Sequence, residues 1–342
     1  MWGVAGSIAF AFAAVISVAI IVALRPWLRR VALAKPNARS SHREPTPQGG
    51  GIAVVAATIV AAFGTLYFSA PAATGPLLPI AAAVILIAVV GAADDIRSIG
   101  VAPRLLLQAL AVAVVIYALP FELRVAPFLP WWMERILLLF GGLWFVNLVN
   151  FMDGLDWMTV AEVVPIAAAL AMIGTFGRLP PAEAIIGFAL CGAMIGFAYF
   201  NRPVAKLFLG DVGSLPVGLL LGWLLMQLAG HHGLAAAILL PLYYLADATI
   251  TLIRRLLNGE PVWQAHRSHF YQRATDRGFT VNQVVAHVFA VNLGLVALAC
   301  ITLAAPGLMN DVAALVCGVA LVGWLLFAFA RGKGVMERRP QA

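Results

Sequence analysis

The chain is poor in charge. Only 11% of its 342 residues are Asp, Glu, Lys or Arg, against about 25% in soluble domains. With 63% hydrophobic residues and a mean hydropathy of +0.96, too little polar surface remains to cover a water-soluble globule, so the bilayer is the expected solvent. Cysteine is scarce as well. Cys191, Cys300 and Cys317 are odd in number, lie inside apolar runs and lack ligand spacing, which excludes a disulfide framework and a thiolate zinc site; they read as packing residues. No Lys or Arg precedes Arg25, so the first apolar run lacks the basic start of a secretory signal and is expected to remain as a membrane helix. The net charge of +7 comes without any nucleic-acid module, and bases placed beside apolar spans point to anionic lipid headgroups rather than nucleic acid.

What the chain does have is apolar runs near the roughly 20 residues a helix needs to cross the hydrocarbon. About eleven are expected, near 3–24, 50–70, 77–93, 103–119, 132–149, 158–174, 182–199, 214–230, 234–253, 284–305 and 311–330. The fold class is therefore an all-α polytopic integral membrane protein, one transmembrane domain over 1–342. With the N-terminus outside, 19 of the 22 Lys and Arg fall on one side, against Arg124, Arg135 and Arg178 on the other. Short loops rich in these residues stay cytoplasmic, so the C-terminus is placed in the cytoplasm. The inside segments are then about 25–49, 94–103, 150–157, 200–213 and 254–283, with a basic tail at 331–342.

The acids follow the same sidedness. Asp94, Asp95, Asp153, Asp156 and Asp211 all fall at cytoplasmic ends of spans, where a solvated helix end explains any one of them but not five in three loops. In "NLVNFMDGLDW" (147–157), Asn147, Asn150, Asp153 and Asp156 recur every third residue and form a slowly turning polar strip. Their oxygens are the hard donors Mg²⁺ takes; self-capping of a polar helix end is the plain alternative. In "LFLGDVGSLPVG" (207–218), Asp211 stands between Gly210 and Gly213. Ser214 is read as an N-cap and Pro216 as lying in the first turn, which would aim free N–H groups at an anionic phosphate.

Positive charge comes from two inside loops, "KPNARSSHREPTPQGGG" (35–51) and "GEPVWQAHRSHFYQRATDRGFT" (259–280). The second offers His266, Arg267 and His269 as phosphate donors, with Trp263 and Tyr271 between the basic residues to pack a base or sugar. Asp247 lies within the ninth expected span, with Thr251 one turn on. A structural network is the favoured reading, and a secondary transporter built around this acid is the rival function.

Four motifs in order, "GAADDIRSIG", "NFMDGLD", "FLGDVGSLPVG" and "HRSHFYQR", resemble the polyprenyl-phosphate N-acetylhexosamine-1-phosphate transferases, the family that includes the phospho-muramoyl-pentapeptide translocase. The likeness runs over about 35–285. It implies transfer of a sugar 1-phosphate from a UDP-N-acetylhexosamine to a polyprenyl (undecaprenyl) phosphate, with release of UMP and a requirement for Mg²⁺. It places metal ligands on Asp211 and Asn150, the adjacent acids on Asp94 and Asp95, nucleotide or sugar contacts on Asp153 and Asp156, and the phosphate loop on His266, Arg267 and His269. Asn147 and Ser214 join as substrate contacts. The loop lacks consecutive histidines, and Trp157 stands where many members carry a second Gly; both features look more like the O-antigen initiating branch of lipopolysaccharide synthesis. The expected location is the bacterial inner (plasma) membrane with the active site on the cytoplasmic face, and a homodimer is left open. Direct attack by the lipid phosphate is favoured over a covalent aspartyl route. Asp94 and Asp95 are expected to divide their work, since adjacent helical side chains diverge by about 100°: Asp94 is assigned to lipid phosphate or metal, and Asp95 to holding an Arg or Lys.

Overall fold

A computed structural model describes residues 2–34, 45–261 and 266–333. The His42 and Arg43 part of the first basic loop, Trp263, and the tail beyond 333 lie outside the described residues. Long apolar runs without internal polar breaks form helices because a bilayer leaves every backbone N–H and C=O to be satisfied within its own segment. The helices are α1 (Trp2–Val31), α2 (Gly50–Ser69), α3 (Thr74–Ile96), α4 (Val101–Ala118), α5 (Trp131–Met152), α6 (Met158–Thr175), α7 (Pro181–Asn201), α8 (Asp211–Leu228), α9 (Leu234–Leu239), α10 (Leu242–Leu257), α11 (Phe270–Asp276), α12 (Val281–Ala304) and α13 (Leu308–Arg331). Among the described residues the fold is all-α apart from a short antiparallel pairing of Leu33–Ala34 (β1) with Thr46–Pro47 (β2).

Among the described residues, ten helical stretches are long and apolar enough to cross a membrane. One of these, Asp211–Leu239, joins α8 to α9 across a kink at which His231 (φ −96°, ψ 37°) and His232 (φ 64°) leave helical geometry. Here the chain turns back. Gly230 faces Leu123 of the α4–α5 connection, whereas α10 reaches the other end of the bundle, where Asp247 binds the start of α11. The ninth expected span is thus two helical pieces, broken at Leu240–Pro241, and neither alone is long enough to be counted among the ten. Proline explains the break, since its ring removes a backbone donor and clashes with the preceding turn.

α8 is the central helix, buried on nearly every face and packed against α2, α3, α5 and α6. α3 approaches it closely because Gly91 lies against the backbone of Asp211, where a Cβ would collide. The segment before α8 is knitted to the start of α2: Gly50 and Gly51 N–H donate to the carbonyls of Phe208 and Leu209, both at 2.9 Å. The end of α3, the end of α5, the start of α8 and the α10–α11 connection gather at one end of the bundle.

Candidate active site

α8 begins three residues earlier than expected, and the reason is Asp95. From the last turn of α3 its carboxylate accepts the backbone N–H of Asp211 at 3.0 Å and of Val212 at 3.1 Å, which caps the helix from outside. Gly210, at φ 75°, is the N-cap; a side chain there would strike the Asp95 carboxylate. The N–H groups of Gly213 and Ser214 turn back to the Gly210 carbonyl at 3.0 and 2.9 Å. The first four N–H groups are therefore taken, and the phosphate site expected at a Ser214 helix start is not there. Ser214 is buried and accepts from Asn150 Nδ2 at 2.9 Å, while Pro216 lies inside the helix.

The division of work between the adjacent acids also differs from expectation. Asp94, not Asp95, holds the arginine. Its Oδ2 accepts from Arg104 Nη1 at 2.8 Å and its Oδ1 from the Ile99 N–H at 2.6 Å. Arg104, read from the sequence only as a marker of sidedness, is thus brought into the site from α4. Its position three residues into a helix that starts just after the acidic pair was the available signal.

Asn150 donates both amide hydrogens to protein, to Asp211 Oδ1 at 2.8 Å and to Ser214 Oγ, so only its carbonyl oxygen is left to offer a ligand. Asp153, which ends α5, accepts from Thr159 Oγ1 at 2.5 Å. Burial pushes its carboxyl from the ordinary 3.8 up to about 7 and outweighs the Thr159 bond, and the charges of Asp211 and Asp156 add to the rise. Asp211 in turn lies within electrostatic reach of Asp95 and Asp94. The donor set fits Mg²⁺. Asp211 and Asn150 supply hard oxygens beside crowded carboxylates of which Arg104 balances one, and Mg²⁺ takes one or two carboxylates and completes its shell with water and phosphate. Among the described residues no group of three or more His, Cys, Asp or Glu forms a closed metal cage, and such an ion does not need one.

The polar groups line one end of a cavity of about 1040 Å³, formed there by Asn150, Asp153, Asp211, Arg104, His266 and His269. Its other walls are apolar and come from α4, α5 and α10: Val101, Leu105, Phe140, Leu143, Trp144 and Leu252. Phe140 is 65% and Leu105 37% exposed, so this wall opens on the lipid-facing flank. Asn147 also lines the cavity, but its amide ties α5 to Gln108 of α4 at 2.8 Å.

His269 and the start of α11 are held by Asp247. Its two oxygens accept the N–H of Phe270 at 3.0 Å and of Tyr271 at 3.2 Å, the hydroxyls of Tyr243 and Thr251, and pair with His269 Nδ1 at 3.1 Å. The structural network favoured for this acid is what the geometry contains. The His269 ring packs against His266 with centroids 4.9 Å apart, and Tyr271 reaches the Phe151 carbonyl at 3.1 Å. Besides Asp94, Asp95 and Ser214, which act behind the cavity wall, two further expected residues do not line it. Asp156 accepts the Ala205 N–H at 3.0 Å and braces the loop before α8, and Arg267 reaches Asp276 Oδ1 at 3.1 Å and Thr275 Oγ1 at 3.2 Å, both in α11.

A family model described as glycosyl transferase family 4 matches residues 77–229, which hold both acidic motifs, Asn150 and Asp211. A probable undecaprenyl-phosphate N-acetylglucosaminyl 1-phosphate transferase of Bacillus subtilis is 23% identical over 295 residues, covering 81% of this chain and 80% of that protein. A phospho-N-acetylmuramoyl-pentapeptide-transferase of Leuconostoc citreum is 28% identical over 236 residues, 64% of this chain and 72% of the relative. One from a Synechococcus species is 37% identical over 161 residues, 42% of this chain and 45% of its own length. With the four ordered motifs and the site they build, these similarities support glycosyl transferase family 4 as the family this chain resembles.

Proposed function

We propose that the protein transfers N-acetylhexosamine-1-phosphate from a UDP-sugar to a polyprenyl phosphate, releasing UMP, as the first membrane step of O-antigen or a related envelope glycan. The observation that carries this reading is the single cavity with an apolar flank open toward lipid and an acidic, histidine-bearing end. A polyprenyl chain stays in the bilayer while a UDP-sugar is soluble, so the two substrates can meet only where such walls adjoin. The excess of Lys and Arg on the same side makes that end cytoplasmic, in a bacterial plasma membrane.

Phosphoryl transfer asks for alignment and charge neutralisation more than covalent help. Asp211 and the Asn150 carbonyl would hold Mg²⁺, which supplies charge neutralisation on the diphosphate when bound. The chain's own groups do the rest. Arg104, fixed by Asp94, presents a cation where α4 meets the cavity, and suits the phosphate of a lipid arriving along the α4–α5 flank. His266 and His269 line the same cavity and can donate to phosphate oxygens. Asp153, whose carboxyl burial raises to about 7, lines the polar end of the cavity and can accept a hydrogen bond from the nucleotide or sugar, or donate one when protonated. The lipid phosphate is largely ionised near neutrality, with a second pKa of about 6, and attacks without a dedicated base. Asp247 has its oxygens committed to five protein donors, which leaves the transporter reading without a free intramembrane acid at that position.

The test is turnover: purified protein given radiolabelled UDP-GlcNAc, Mg²⁺ and undecaprenyl phosphate should form labelled lipid and UMP. If neither product appears with GlcNAc or any other UDP-N-acetylhexosamine, the reading fails.

A further inference from the structure

The first inside loop ends in "PTPQGGG" (45–51), in which Gln48 lines no part of the cavity but reaches the acidic pair. Its Nε2 donates to the Asp95 carbonyl at 2.8 Å. α3 ends at Ile96, so this carbonyl belongs to the last turn, whose acceptors have no partner within the helix. The Ile99 N–H that would meet it in a longer helix is held by Asp94 Oδ1 at 2.6 Å instead. Gln48 is itself fixed, because its own N–H donates to the Ala32 carbonyl at 2.9 Å, just beyond α1.

The neighbours of Gln48 in the chain hold the other side of the site. Pro47 accepts the Phe208 N–H at 2.9 Å, and Gly50 and Gly51 donate back to Phe208 and Leu209. Gly51 lies so close to Gly213 of α8 that a Cβ would stand 2.1 Å from the Gly213 Cα. Residues 47–51 thus grip the segment leading into Asp211 through main-chain atoms, and grip the end of α3 through one side chain. Between the two grips runs the Asp95 carboxylate, on the N–H groups of Asp211 and Val212. The main-chain bonds do not depend on which side chain stands at 48; the hold on the Asp95 carbonyl needs a donor of this reach.

We propose that Gln48 is a positioning residue for the candidate metal site. By holding the Asp95 carbonyl it keeps the last turn of α3 wound, which keeps the Asp95 carboxylate on the start of α8 and Asp211 against Asn150. The consequence for Mg²⁺ rests on the transferase reading; the link from Gln48 to the start of α8 does not.

Amide exchange reads that link directly. Full-length protein in lipid nanodiscs is followed by hydrogen–deuterium exchange and mass spectrometry over residues 207–214, with a fragment of α12 as internal reference. Gln48→Met, similar in length and without the donor, should exchange about fivefold faster over 207–214, the effect of one lost hydrogen bond, and at the parent rate in α12. Gln48→Glu sets a carboxylate against the Asp95 carbonyl and should exchange faster still. In an Asp95→Ala background the carboxylate that Gln48 positions is gone, so Gln48→Met should add little. Mn²⁺ added alone, with the free ion counted by electron paramagnetic resonance, should bind several-fold more weakly to Gln48→Met than to the parent. Parent-rate exchange over 207–214 in both Gln48 variants would overturn the proposal. So would an equal acceleration in the Asp95→Ala background, or one shared with α12, since either would make Gln48 a general stabiliser. Where Asp95→Ala or Gln48→Glu fails to fold, Gln48→Met against the α12 reference decides. If the parent binds no Mn²⁺ while the exchange order holds, the metal part of the transferase reading falls and the role of Gln48 at the start of α8 stands.

Discussion

Asp95 and Asp211 meet side chain to backbone: the Asp95 carboxylate receives the Asp211 N–H at 3.0 Å, so one acid of the pair is spent on placing the residue assigned to the metal. Its neighbour Asp94 faces Arg104 instead. Adjacent helical carboxylates thus serve two other helices, α8 and α4.

Asp95→Ala should act through stability and geometry. Loss of a helix cap costs about 1–2 kcal/mol, and the start of α8 should loosen, so the melting temperature and turnover fall together. Asp95→Asn keeps an acceptor oxygen and should lose less of both. A melting temperature equal to the parent's in Asp95→Ala would show that the cap is not needed.

Asp211→Asn should leave the fold intact, since an amide oxygen can still accept from Asn150, while turnover falls by about 100-fold or more through loss of the charged oxygen that suits Mg²⁺. Steady-state UMP release over a Mg²⁺ titration checks this. Near-parent activity at parent Mg²⁺ concentrations would take Asp211 out of the metal site.

Arg104→Met should raise the KM for polyprenyl phosphate more than that for the UDP-sugar, because Arg104 enters the cavity from the apolar α4 flank. Arg104→Lys restores one donor to Asp94 and should recover part of the loss. Equal effects on both substrates would place Arg104 at the nucleotide end instead.

Arg267→Lys, expected from the sequence to impair phosphate binding, should now be mild. The Arg267–Asp276 pair is partly exposed, and such pairs contribute at most about 1 kcal/mol. Asp276→Asn should reproduce its effect on α11. A turnover loss of about 100-fold in Arg267→Lys alone, with Asp276→Asn near parent, would return Arg267 to a direct phosphate role.

Asp153 gives a pH signature without divalent cation. Its folded-state carboxyl is raised to about 7 from an ordinary 3.8, so between these values the folded state binds the proton and the unfolded state does not. Stability from this group is complete below about 4 and is lost as pH rises through about 7. Melting temperature in EDTA should therefore decline over that window, and Asp153→Asn should flatten the decline. An unchanged slope in Asp153→Asn would assign it to other groups.

The sequence by itself determined the helical membrane architecture, because hydrocarbon permits apolar runs of that length only as helices. It determined which residue types gather at one end, because charge sorts by side of the membrane. The second half of the ninth span was legible as apolar but not as a separate amphipathic helix, since the break depends on the turn at His231–His232 and on Pro241 together. Residue roles were decided by tertiary structure. Asp95 could be known as a cap only once α3 stood beside α8, and Ser214 could be denied the phosphate only once that cap had moved the helix start to Asp211. Arg104 joined the site, and Arg267 and Asp156 turned to partners off its walls, for the same reason: a side chain's partner depends on which helices become neighbours, and those neighbours are set by contacts far apart in the chain.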